Sequence, residues 1–486
     1  MPRERPNISI GEGRNSLENR FDFHWQSSYP TLYFSNIFNQ LGKTLFSSLR
    51  LINYGLWIAI LLTALLPTVY STVRIYYLNT LPDTWSVSIA AQSSWLGLAY
   101  EVVQEAILMP LYFVFGQVIH NLSELRKRVS IAIIVTLVAY GLLTLGILFG
   151  ADWLTQAMSQ QQALQDMTAR YIRLETIGKM IGVLNDIAII IVVALAWKRI
   201  LIALVILRAL LMITFDSLFV GQFDFSLHLG VQGVAMTNIS VATCLLLPTV
   251  FILLRAEMFE RPRLRKPSAW MRRWLRIAAR SGIESAVRNL AFSLMILRLM
   301  NEVNEAGLFW VTNSFIWGWL LLPVLALGTL IRQDAGNNGG KLEGRFTGYL
   351  WLIAIIVGVW IVTIPGWLWF FKNALGTDEP ERILSLTLLM LGFYVVFAFN
   401  HVLDSFFYGR GRTDLLLYQS LFVSIFYYGI AFVAYQTGFF APGLQSIALL
   451  FGGGILVDSA LTLWQFKNAG YFNVASEKSP QKSGGF

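Results

Sequence analysis

About twelve runs of apolar residues, each long enough to cross a bilayer, follow one another from residue 51 to residue 466. They read Leu51 to Tyr77, Ser88 to His120, Val129 to Trp153, Leu174 to Trp197, Ile200 to Val220 and Gly230 to Leu254. After a polar interval come Leu275 to Met300, Ala306 to Ile331, Tyr349 to Phe371, Leu384 to Phe407, Leu415 to Thr437 and Gly443 to Phe466. A chain written this way has no water-soluble solution. Of its 486 residues 56% are hydrophobic and 13% charged, against about a quarter charged in soluble domains. In hydrocarbon each backbone donor and acceptor must be paired internally, which turns runs of about 20 apolar residues into helices. The expected fold is an all-α integral membrane protein with about twelve transmembrane helices.

The net charge of +9 is a topology signal rather than a footprint for nucleic acid, because the basic residues sit in the short segments between runs. With both termini cytoplasmic, Arg126-Lys127-Arg128, Lys198-Arg199, residues 255 to 276, Lys341, Arg345, Arg410, Arg412 and Lys467 share one side. The opposite loops, such as Asn79 to Trp85 and Gly221 to Leu229, are nearly free of Lys and Arg, apart from Arg170 and Lys372. Met1 to Trp25 is polar and has no apolar run behind a basic stretch, so it does not read as a cleavable signal peptide. Five segments result: 1–50 with an interfacial helix from Phe21 to Arg50, a six-helix lobe at 51–254, a basic cytoplasmic hinge at 255–274 attracted to anionic lipid, a second six-helix lobe at 275–466, and a tail at 467–486.

The halves repeat a pattern. In each, the second run holds an interior proline, Pro110 or Pro323, and ends at a glutamine, Gln117 or Gln333. Two parallel repeats related by an axis along the membrane normal are expected.

Charged side chains at bilayer depth cost roughly 2.5 to 3.5 kcal/mol on insertion scales and so mark candidate functional positions. Glu101 and Glu105 lie near mid-depth with i, i+4 spacing, and Gln104 stands beside them. Two carboxylates so close resist being ionised together, so one holds a proton, as a proton antiporter requires. The alternative is that a buried arginine such as Arg208 pairs with them for structure alone. Asp186, beside Asn185, and Asp216 are the other acids of the first half, the latter toward the exterior end. Glu284 and Arg288 form an intrahelical pair by spacing, Arg298 is placed to snorkel, and Asp404 and Asp458 are placed to pair with Arg410, Arg412 or Lys467. The single cysteine, Cys244, excludes an intramolecular disulfide, and His120, His228 and His401 are too scattered for a metal centre. GxxxxGK[ST], HExxH and GxSxG are absent, which argues against a nucleotide-driven pump and common hydrolases.

Three stretches resemble the multidrug and toxic compound extrusion (MATE) family of the wider flippase superfamily. ARYIRLETIG, Ala169 to Gly178, is similar to the start of that family's fourth helix, and Ile213 to Ala242, with Asp216, Gly230, Gly233 and Ala235, to its fifth-to-sixth junction. YGRGRTDLL, Tyr408 to Leu416, is similar to the turn before the eleventh. The resemblance implies two lobes rocking around a central cavity, no cofactor, and export of an amphipathic, cationic compound against protons or sodium by a monomer in a prokaryotic inner membrane. It also implies a cavity lined by Trp95, Trp310 and Trp317 of the second helices, with Gln104, Asn185 and Asn313 as polar contacts. Members often carry a first-helix carboxylate; Leu51 to Tyr77 has none, which moves the expected ion coupling to Glu101, Glu105, Asp186 and Asp216, the last two as candidate sodium ligands. Two rivals stay open. A lipid-linked oligosaccharide flippase would turn Arg208, Arg288 and Arg298 toward a pyrophosphate, and a multi-span membrane transferase would need a polar catalytic cluster at one surface.

Overall fold

The apolar runs become helices because hydrocarbon offers their backbones no other partner. The computed structural model describes residues 47–469 other than 84, 119, 196, 256, 259–268 and 338–344. Its long helices are α1 (Tyr54–Asn79), α2 (Ser86–Gly116), α3 (Leu122–Ala157), α4 (Gln165–Ala194), α5 (Lys198–Phe219) and α6 (Val231–Arg255). They continue with α7 (269–302), α8 (Ala306–Leu320 and Leu322–Gly336), α9 (Arg345–Asn373), α10 (Pro380–Gly409), α11 (Thr413–Gln436) and α12 (Leu444–Asn468). No strand occurs among the described residues. The expected interfacial helix before Ser47, most of the hinge and the tail beyond 469 lie outside them.

Ten of these helices are long and apolar enough to cross a membrane, or eleven when the two rods of α8 are one span bent by 52°. The chain is an integral, multi-pass membrane protein. The expected twelfth span falls on α7, which carries Arg272, Arg273, Arg276, Arg280, Glu284 and Arg288 and is too charged to meet the same standard. The hinge was also expected to run to residue 274. Instead α7 starts at Ala269, because Trp270 and Trp274 stack one turn apart and Trp274 is buried, its indole N–H donating to the Ile107 carbonyl of α2 at 3.2 Å. Arg128 lies over the Trp270 ring at 5.2 Å. Likewise α3 begins at Leu122, before the expected Val129, because Asn121 caps it by accepting the Glu124 amide N–H at 3.2 Å.

The prolines of the repeated second helices act locally. Each has a π turn just before it, 104–108 ahead of Pro110 and 316–320 ahead of Pro323. Proline lacks an N–H and crowds the carbonyl four residues earlier, and widening the turn relieves that crowding.

Two large buried clusters organise the packing. One gathers residues from Met295 to Phe466 and also takes Ile52, Ile75 and Ala91; the other runs from Leu78 to Met258 and takes Trp274 from α7. The clusters therefore meet along α1 with α8 and along α2 with α7. Across the first contact, Trp57 donates to the Pro323 carbonyl at 3.1 Å, Thr68 to Gly318 at 3.1 Å, and Trp319 to the Thr72 hydroxyl at 3.0 Å. Across the second, Asn289 donates to the Leu98 carbonyl at 3.1 Å and Ser281 to the Glu105 carbonyl at 3.0 Å. Gly282 lets these backbones approach, since a Cβ there would stand 3.0 Å from Ala106 Cβ.

Candidate functional site

Glu101 and Glu105 stand one turn apart on α2 and meet α7. Arg288 Nη2 is 2.9 Å from both Glu105 oxygens and 3.4 Å from Glu101 Oε1, while its Nη1 is 2.7 Å from Glu284 Oε1. Ser420 of α11 donates to the same Glu284 oxygen at 2.7 Å. The partner of the glutamate pair is thus Arg288 and not Arg208: an arginine expected to serve Glu284 within its own helix also bridges two helices. Three carboxylates share one guanidinium. These groups are only partly buried, with side chains from 14% exposed at Glu284 to 40% at Glu101, so each pair contributes no more than about 1 kcal/mol of stability.

Beside this cluster lies a cavity of about 530 Å3 along one face of α2, lined by Ser93, Ser94, Gly97, Leu98, Glu101, Gln104, Glu105 and Met109, with Trp310 of α8 across from them. Gln104 and Trp310 therefore stand where a cavity was expected. The lining is acidic and has an aromatic wall, which suits a cation carrying apolar groups.

A second polar network lies in the first half and was not anticipated. Arg74 of α1 grips Asp216 of α5 through both carboxylate oxygens, at 2.9 and 3.1 Å, and donates to Asn238 Oδ1 of α6 at 3.0 Å. The Asn238 amide in turn donates to both oxygens of Glu175 on α4, at 2.9 and 2.7 Å. Asp216, expected as a sodium ligand, is 1% exposed, and the Arg74 guanidinium already occupies the position a cation would take. Four helices are tied by one chain of charge-assisted bonds.

Adjoining this network is a cavity of about 360 Å3 enclosed by α1, α4, α5 and α6, with Ser93 and Trp310 again in its wall. Asp186 lines it, facing Arg208 and Lys179. Asn185, expected as a substrate contact, also lines it, while its amide donates to the Ala242 carbonyl at 2.9 Å and accepts from Thr249 at 3.0 Å.

No protein-family model and no curated protein sequence matches the chain. Solved structures do match it. A multidrug-resistance MATE transporter of the MOP superfamily in an inward-facing conformation superposes with a TM-score of 0.66 at 16% identity, over 84% of this chain and 96% of that one. An outward-facing multidrug-resistance MATE transporter gives 0.58 at 17%, over 87% and 96%. The fold is that of a MATE transporter. A MOP superfamily transporter from Pyrococcus furiosus Vc1, described as having a binding pocket of reverse polarity, matches at 0.61 and 18%, over 87% and 95%.

Within this MATE fold the remaining expected residues fall at helix contacts. Trp95 is buried and donates to Gln92 at 2.9 Å; Gln92 and Asn301 of α7 exchange two amide bonds, at 2.7 and 2.9 Å, and Asn301 reaches the Met158 carbonyl at 2.8 Å. Trp95 and Asn313 line only a small cleft of about 40 Å3. Trp317 lines none of these three cavities and donates to the Tyr394 hydroxyl at 3.2 Å, which itself donates to Asn313 at 3.1 Å. Arg298 does not snorkel freely but donates to the Ala157 carbonyl at 3.0 Å. Asp404 and Asp458 take amides and a hydroxyl in place of the expected cations: Asn400 donates to both, at 3.0 and 3.4 Å, Gln419 to Asp458 at 2.6 Å, and Thr462 to Asp404 at 3.1 Å. Parallel packing of α12 on α10, with 400 beside 458 and 404 beside 462, brings the two acids side by side.

Proposed function

We propose that this chain is a secondary transporter, twelve spans in two six-helix lobes with cytoplasmic termini, that moves an amphipathic cation by alternating access in exchange for protons or sodium. The carrying observation is the charge count at the α2 and α7 contact: Glu101, Glu105 and Glu284 against Arg288 alone, beside an aromatic-walled cavity. An entering cation and the coupling ion would compete with Arg288 for Glu101 and Glu105. Arg288 spans the two halves, so its release would loosen the contact that lobe rocking has to break. Asp216 leaves the list of coupling residues, because Arg74 already neutralises it; Asp186 stays on it.

The flippase reading needs several arginines free for a pyrophosphate. Of its three candidates Arg288 is held by carboxylates and Arg298 by a carbonyl, which leaves Arg208.

The test is export of a cationic dye from proteoliposomes under an imposed proton or sodium gradient. Glu101→Gln with Glu105→Gln is expected to lower gradient-driven export at least tenfold while the protein stays folded. Export by the double variant at the wild-type rate under both gradients would end this reading.

A further inference from the structure

The cavity enclosed by α1, α4, α5 and α6 differs in charge from the one beside Glu101. Five charged side chains line it, with Asp216 behind Arg74, and they sort along its length. At one end Arg74, Asp216 and Glu175 are joined through Asn238 and have their partners. Lys179 stands one turn further along α4, Arg208 two turns from Asp216 along α5, and Asp186 three turns from Glu175. Both Lys179 and Arg208 line the cavity, and neither lies within ion-pair distance of a carboxylate among the described residues. Lys179 is placed i, i+4 from Glu175, yet that carboxylate takes the Asn238 amide on both oxygens. Asp186 faces both cations without closing on either. At helix mid-length two cations face one carboxylate, a local excess of one positive charge in a space of about 360 Å3; the charge that balances the whole set sits on Glu175, whose oxygens are taken by Asn238. A lone cation at that depth is costly unless it is paired or serves a ligand.

We propose that this cavity binds an amphipathic oxyanion, a phosphate or carboxylate head on an apolar body. The head would sit between Arg208 and Lys179, and the body along Leu204, Val241 and Leu245, which also line the cavity. This does not rest on the glutamates of the cation-export reading: Glu101 and Glu105 line the neighbouring cavity, with Ser93 and Trp310 in the wall the two share. The site takes either a soluble amphipathic anion or an anionic lipid headgroup, since the chemistry presented to Arg208 is the same.

The experiment uses the full chain in nanodiscs of zwitterionic phosphatidylcholine, with octyl phosphate as the probe and octyltrimethylammonium as its opposite-charge control. Octyl phosphate is expected to bind saturably and the control not to displace it. Arg208→Gln and Lys179→Gln should each weaken binding about tenfold or more, the loss of one charge-assisted contact. Arg208→Lys should retain most of it, and Arg382→Gln, in an exposed pair with Glu305 and Glu379, should leave binding unchanged. Normal binding by both glutamine variants overturns the proposal, as does no saturable binding by wild type. Equal loss in Arg208→Lys and Arg208→Gln, with both eluting and melting as wild type, also counts against it. Competition by added phosphatidylglycerol makes a lipid the occupant; its absence makes it a soluble anion.

Discussion

The two networks that contain acidic site residues are built alike and do opposite things. Arg74 with Asp216, Asn238 and Glu175 is closed: each oxygen of both carboxylates has a donor, Asp216 is almost wholly buried, and four helices of one half are joined. Arg288 with Glu101, Glu105 and Glu284 is open: one cation faces three anions, exposure is partial, and the helices joined are α2 and α7 from different halves. A saturated network can only be damaged by a change of partner, whereas an unsaturated one has room to exchange partners. Burial and stoichiometry, not the presence of intramembrane charge, separate a fastening from a working site.

The largest effect is expected from breaking the closed network. Arg74→Ala strands the buried Asp216 carboxylate and should cost about 3 to 5 kcal/mol, seen as a large drop in thermal unfolding midpoint in detergent. Combining Arg74→Met with Asp216→Leu should recover most of that loss, because an apolar pair of similar volume replaces a buried ion pair at little cost. A wild-type melting curve for Arg74→Ala would erase the distinction drawn between the networks.

An intermediate effect is expected at the open network, in binding as well as in stability. Arg288→Gln removes three partly buried pairs of at most about 1 kcal/mol each and should shift stability by no more than about 2 to 3 kcal/mol. It also frees Glu101 and Glu105, so a cationic dye should bind about tenfold more tightly, measured by fluorescence titration. Unchanged or weaker dye affinity would mean that Arg288 does not hold the place of a cation.

The smallest effect belongs outside both. Trp317→Phe gives up one hydrogen bond to Tyr394 and should cost about 1 kcal/mol with dye affinity unaltered. A loss of dye binding would return Trp317 to the substrate cavity from which its position removes it.

Much of this architecture is legible in the sequence, because bilayer length and helix spacing are local properties. The apolar runs fall on the helices, the paired prolines fall at the π turns and the bend, and the i, i+4 glutamates share a face. The partners were not legible. Arg288 lies 183 residues from Glu105 and Arg74 lies 142 from Asp216, and no spacing rule spans such separations. Arg74 carries no sequence signal of its role: an arginine near a span end can equally snorkel, and only packing against α5 and α6 turns it inward. Asp404 and Asp458 were referred to the nearest cations in sequence, whereas the register of α10 on α12 assigned them to each other's neighbours. Trp95 looked like a cage wall because the sequence does not tell that Gln92 and Asn301 clasp beside it.

A π turn holds one residue more than an α turn, and the surplus is free to travel. If the wide turn of α2 at 104–108 moves along by one place, a single backbone hydrogen bond is exchanged and the residue it passes swings by about 100° around the axis. Glu105 sits inside that turn. Such a slip would carry its carboxylate away from Arg288 while both ends of α2 stay where they are, so the shortest ionic link between α2 and α7 can be released by one side chain's rotation before any rigid body has to move.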